Sequence, residues 1–72
     1  MKKTKTETIG DRIKRLREDR GWSRHDLSRE ADIHYLSLQS YEVDNRKPNT
    51  EYARKLAHVF GVSVDYIIEG KE

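Results

Sequence analysis

Cysteine is absent from the 72 residues, and proline, tryptophan, phenylalanine and methionine occur once each. Without cysteine there is no disulfide framework and no thiolate metal site. Long apolar runs are missing too. No stretch approaches the roughly 18 residues of a membrane span, and Met1 to Thr6 has no apolar segment that would serve a signal peptide, so an intracellular protein is expected. Hydrophobic residues make up only 33% of the chain against 39% charged, so the core has to be built economically. A chain this short hides only about 60% of the surface its unfolded form exposes. It is therefore expected to form one small domain held by close helix packing, by a partner subunit, or by both.

What is present is charge, unevenly spread. Residues 1–30 hold ten Lys or Arg against six Asp or Glu, a net of +4; residues 31–72 hold five against seven, a net of −2. A basic front half points to a polyanionic partner, although a solvated helix face would give the same balance.

The first eight residues are polar and aperiodic and read as a mobile basic tail. From Ile9 the pattern becomes helical. Ile9, Ile13 and Leu16 recur on one face and Gly21 sits at the stop, which predicts helix 1 over Ile9 to about Arg20. Ser23, with Asp26 three residues on, opens helix 2 over about 24–31, with Leu27 and Ala31 facing inward. Helix 3 follows over about 34–43, with Leu38 and Tyr41 inward. A loop from Asp44 to Asn49 contains the one proline, Pro48. Helix 4 then runs to Phe60 on the stripe Ala53, Leu56, Ala57 and Phe60, and helix 5 spans Val64 to about Glu69 behind Ser63. The reading is all-α, with helices 2 and 3 joined too tightly to lie antiparallel.

Four stretches in this order resemble the phage repressor and Cro helix-turn-helix family, the Xre type. They are Ile9-Gly10-Asp11-Arg12-Ile13-Lys14-Arg15-Leu16-Arg17, Gly21-Trp22-Ser23-Arg24-His25-Asp26-Leu27, Tyr41-Glu42 followed by a polar turn and Lys47-Pro48, and Gly61-Val62-Ser63-Val64-Asp65-Tyr66. The resemblance implies a compact five-helix, lambda-repressor-like DNA-binding domain over residues 9–70. Helix 3 would be the recognition helix, entering the major groove of double-stranded DNA. It also implies a transcriptional regulator, a repressor by preference, that binds a pseudo-palindromic operator as a homodimer in the cytoplasm, at the nucleoid of a bacterium or its phage. The sequence departs from the family pattern at Asp32 and Asp44, where glycine is usual, and at His34, where a small polar residue is usual. Asp32 and either Asp44 or Asn45 are expected to take the left-handed turns.

By the same resemblance, Arg24, Tyr35, Leu36 and Ser40 match positions that read base edges. Gln39 and Ser37 can reach a base edge or a phosphate. Arg12, Arg15, Asn45, Arg46, Lys47 and Asn49 are the remaining candidates for phosphate contacts, and Lys2, Lys3 and Lys5 of the tail can add to the attraction. Arg17 and Glu42 would form a structural ion pair between helices 1 and 3. Tyr66, left toward solvent by the inward Val62, Val64, Ile67 and Ile68, would be a dimer contact. Trp22 reads as core.

An enzyme is not expected. His25, His34 and His58 have no companion carboxylates or cysteines at metal-ligand spacing, and no glycine-rich phosphate loop exists, so neither a metal nor a cofactor is implied. The competing reading is a protein-interaction module, such as an antitoxin or anti-repressor, that presents Tyr35 and Leu36 to another protein. A regulatory protein partner is compatible with either.

Overall fold

A computed structural model describes residues 7–71. The expected basic tail, with Lys2, Lys3 and Lys5, lies outside these residues apart from Glu7 and Thr8. Five helices follow in order among the described residues: α1 (Ile9–Asp19), α2 (Arg24–Ala31), α3 (Tyr35–Asp44), α4 (Thr50–Phe60) and α5 (Val64–Glu69). No strand occurs among the described residues.

Each helix begins where a side chain can take up an orphan backbone N–H. Thr8, Ser23, His34, Asn49 and Ser63 are the five caps. Thr8 and Ser23 form reciprocal boxes with Asp11 and Asp26, so Thr8 belongs to the folded body rather than to a tail. The expected start of helix 3 shifts by one residue for the same reason. His34 keeps non-helical backbone angles while its Nδ1 accepts the Leu36 N–H at 3.1 Å, and the helix extends to Asp44 instead of Val43. At the other ends, Asp32 (φ 57°) and Asn45 (φ 56°) take left-handed conformations that their short polar side chains tolerate. Of the two candidates for the second turn, it is Asn45 that makes it.

The core uses one anchor from each helix. Ile13 of α1, Leu27 of α2, Leu38 of α3, Leu56 of α4 and Ile67 of α5 are all 0% exposed. Full burial of such a side chain is worth about 1.5–3 kcal/mol. Leu16, Ala31, Ile33, Tyr41, Ala57 and Phe60 complete the cluster, and Trp22 packs against it from the α1–α2 junction, its ring centroid 6.2 Å from that of Phe60. The Arg20 guanidinium lies over both rings and donates to the Phe60 carbonyl at 3.0 Å.

α1 packs chiefly on α3, and α4 on α5. The α1–α3 approach is close enough to require glycine. A Cβ at Gly10 would stand 2.6 Å from the Glu42 carbonyl oxygen and 2.7 Å from both the Tyr41 carbonyl oxygen and Asn45 Oδ1. Gly10 also donates its N–H to Asn45 Oδ1 at 2.9 Å. The C-terminal end of α3 is thereby fastened to the first turn of α1, and the outer face of α3 has a fixed orientation.

Candidate nucleic-acid interface

Helical geometry divides α3 into two faces. Leu38 and Tyr41 are buried, Leu36, Gln39 and Val43 are exposed, and Tyr35, Ser37 and Ser40 lie between. Leu36, Ser37 and Ser40 line a cleft of about 420 Å³ together with Tyr41, Arg46, Lys47, Asn49 and Tyr52. Arg46 and Lys47 stand exposed on the loop from α3 to α4, and neither has a salt-bridge partner among the described residues. Asn49 uses Oδ1 to cap α4 through the Tyr52 N–H at 2.8 Å, which leaves its amide N–H groups as donors. Burial pushes the hydroxyl pKa of Tyr41, which lines the cleft, above its ordinary value. The cleft therefore offers two cations, several neutral donors and one apolar side chain.

The N-terminal ends of α2 and α3 form a second cluster. The Tyr35 ring stacks on His25 at 4.1 Å with planes 12° apart, and the Arg24 guanidinium lies 5.9 Å from the same ring. Arg24 also donates through Nε to Glu42 Oε1 at 3.3 Å. Glu42 accepts two further hydrogen bonds from Arg17, at 2.8 and 3.0 Å, with its side chain only 2% exposed. Arg17 in turn donates to the Trp22 carbonyl at 2.9 Å. These bonds to Glu42 hold the Arg17 pKa above its ordinary value despite burial. Two arginines on one carboxylate leave a net positive charge, and Arg24 is the more exposed of the two.

Other candidates are engaged elsewhere. Arg12, expected to reach a phosphate, is only 5% exposed. It donates to the carbonyls of Ile67 and Glu7, each at 3.4 Å, and lies 3.7 Å from a Glu7 carboxylate oxygen. Its place is beside the last turn of α5, where carbonyls without helical partners favour a cation. Arg15 is paired with Glu7 at 2.6 and 3.1 Å and donates to the Tyr66 hydroxyl at 2.5 Å. These bonds, to Glu7 first, raise the Arg15 pKa, and the Arg15 bond draws the Glu7 carboxyl pKa below its usual value. Tyr66 is accordingly half-buried against the core rather than turned freely to solvent. The Asn45 side chain is occupied at Gly10 through its oxygen. The sequence reading did not assign Glu7, His25 or Tyr52 to the site. Among the described residues no cluster of three potential metal ligands occurs, and no helix is long and apolar enough to cross a membrane.

The order of short helices, the capped three-residue turn between α2 and α3, and the exposed outer face of α3 invite comparison with known proteins. The profile of a family described as helix-turn-helix matches residues 13–67. The chain belongs to the helix-turn-helix family. Its similarity within this family extends to the HTH-type transcriptional regulator ImmR of Bacillus subtilis, 32% identical over 65 residues, which are 90% of this chain and 50% of ImmR. The chain thus spans about half the length of that relative. Among solved structures it is similar to the N-terminal DNA binding domain of SinR from Bacillus subtilis, at 31% identity and a TM-score of 0.80, covering 89% of this chain and 94% of that one. The P22 c2 repressor protein in complex with a synthetic operator has the same fold, with a TM-score of 0.82 at 23% identity over 92% of this chain and 100% of that one. The chain's five helices have the lambda-repressor-like helix-turn-helix architecture of these two solved structures.

Proposed function

We propose that this helix-turn-helix chain binds double-stranded DNA in a sequence-dependent manner and regulates transcription, with α3 in the major groove. The observation that carries this reading is the cleft beside α3. There Arg46 and Lys47, without carboxylate partners among the described residues, flank the outward Leu36, Ser37 and Ser40. Unpaired cations beside an outward helix face suit phosphates on either side of a groove edge. Arg24, steadied by Glu42, is the candidate for a guanine or an adjacent phosphate, and Gln39 and Ser40 for base edges. Tyr35, stacked on His25 and with the Arg24 guanidinium 5.9 Å from its ring, helps to place Arg24. Phosphate contacts fall to Arg46, Lys47, Asn49 and Ser37, with Arg15 and Asn45 as secondary donors. Arg12 is assigned to the structure instead.

A homodimer with recognition helices about 34–36 Å apart would read a pseudo-palindromic site. Tyr66, its hydroxyl fixed by Arg15, remains a dimer candidate through its ring. Such a regulator works in the cytoplasm. Selection of bound duplexes from a random pool at physiological salt tests the reading. An enriched palindrome supports both class and symmetry, and absence of enrichment together with salt-insensitive binding overturns the proposal. A dimer making about 6–10 phosphate contacts should lose roughly 10³–10⁵ in affinity between 50 and 200 mM salt.

A further inference from the structure

Among the described residues, four of the five helix caps accept an N–H on an oxygen that does not titrate: the hydroxyls of Thr8, Ser23 and Ser63 and the amide of Asn49. The fifth, on α3, is a ring nitrogen. His34 Nδ1 accepts the Leu36 N–H at 3.1 Å, while the His34 carbonyl accepts the N–H groups of Ser37 and Leu38 at 3.0 and 3.2 Å. Only a neutral imidazole with its proton on Nε2 can cap in this way, since a protonated Nδ1 is a donor facing a donor. The cation would also stand at the positive end of the α3 dipole. Asp11, Asp26, Glu51 and Asp65 put a carboxylate in the first turn of the other four helices, whereas α3 has none there. Nor does any carboxylate pair with His34 among the described residues. Asp32 in the preceding turn is held by Lys55 of α4, which donates to its carbonyl at 2.9 Å and to its carboxylate at 3.3 Å. From α2, Arg24 and His25 meet the adjoining Tyr35 ring. His34 itself is exposed, so protons reach it freely.

We propose that His34 is a positioning residue of the DNA interface, holding the first turn of α3 only while its imidazole is neutral, so that acidification weakens DNA binding. The inference rests on the DNA-binding reading above and adds to it a control by pH. The turn that His34 fastens carries Tyr35, Leu36 and Ser37, and once it frays, binding has to order it again. Charge alone predicts the opposite sign, because an added cation strengthens the attraction to a polyanion.

Wild type, His34→Ser and His34→Ala are compared on the duplex enriched in the random-pool selection. Binding is followed by fluorescence anisotropy at fixed salt between about pH 8 and about pH 5, the range over which an imidazole changes charge. Serine caps across this range and alanine nowhere in it, and the contributions of His25, His58 and Glu7 are common to the three chains. The temperature is one at which circular dichroism shows all three folded, so a loss of overall stability alone leaves the affinity unmoved. Wild type should bind nearly as well as His34→Ser at the alkaline end. At the acid end it should fall behind by the worth of a cap, about fivefold per half-site and roughly 25-fold for a dimer. His34→Ala should trail His34→Ser by that factor throughout. In the free wild-type chain the Leu36 amide resonance should shift with the same pH midpoint as the His34 ring protons, and in His34→Ser it should stay put. An affinity of wild type relative to His34→Ser that is constant with pH overturns the inference, as does one that rises on acidification, the mark of an imidazolium bound to phosphate. A His34→Ala chain that binds as tightly as His34→Ser overturns it too. Those outcomes leave DNA binding intact. A chain that enriches no sequence and shows no salt-dependent binding instead overturns the DNA-binding reading itself, and with it this inference.

Discussion

Glu42 of α3 and Arg17 of α1 meet through two hydrogen bonds, at 2.8 and 3.0 Å, across the pair of helices that orients the recognition surface. The same carboxylate accepts from Arg24 of α2. One buried acid thus connects three helices, and the candidate base contact Arg24 is steadied by the group that locks α3 to the scaffold. The net worth of such a cluster is small, because desolvation opposes the attraction. Removing one member is costly, because it strands the others.

Glu42→Ala should therefore destabilise the fold by about 3–5 kcal/mol, since it leaves Arg17 largely buried and unpaired. For a domain of this size each kcal/mol moves Tm by about 4–8 °C. Thermal unfolding followed by circular dichroism should show a fall of more than about 12 °C, and an unchanged Tm would refute the buried pairing.

Gly10→Ala pits two effects against each other. Alanine gains roughly 1 kcal/mol of helix propensity over glycine, yet its Cβ would press on two carbonyl oxygens of α3 at 2.6 and 2.7 Å. Backbone has little freedom to yield, so overpacking of about 1–3 kcal/mol should prevail. Urea denaturation decides the sign, and a stabilised variant would mean that α1 and α3 sit further apart.

Glu7 supplies a pH dependence. Its carboxyl pKa lies below the ordinary 4.5, first through the Arg15 hydrogen bond. The unfolded chain takes up this proton more readily than the folded one. The stabilisation is therefore present above about pH 4.5 and is lost as the pH falls through the lower folded value. Glu7→Gln should be less stable than wild type at pH 7, with the gap narrowing as the pH falls below about 4.5. A gap of constant size across that range would show that the pair contributes nothing that titrates.

Arg46→Ala and Lys47→Ala should each weaken DNA binding uniformly across sequences. In a dimer each change removes two phosphate contacts, so the slope of log K against log salt should become shallower by about 1.8. Arg12→Leu should leave that slope unaltered, since its guanidinium is spent inside the fold on Glu7 and Ile67. A reduced slope for Arg12→Leu would restore it to the interface.

Periodicity and capping residues made the five helices legible, because Ile13, Leu27, Leu38, Leu56 and Ile67 obey local rules of spacing and each is buried. The Arg17–Glu42 pair was legible through the family motif. What escaped depends on partners distant in the chain. Arg12 lies one turn from Ile9 and looks like any edge cation until the carbonyl end of α5, 55 residues away, is seen to cover it. Tyr35 looks outward on a helical wheel, and only His25 from α2 shows that one of its faces is taken. Thr8 and Asp11 did carry a local signal, the spacing of a capping box, but the polar run before them masked it.

With one large, fully buried anchor per helix, the architecture has little redundancy. No helix can detach without exposing its share of one common core, so partial forms lacking α5 or α1 have nothing to settle into. Amide protons at the centres of all five helices should therefore exchange through the same global opening, with one shared free energy. With that shared opening, α3 would be no more mobile than the scaffold behind it, and on the proposed DNA-binding reading any adaptation would come from the DNA or from surface side chains.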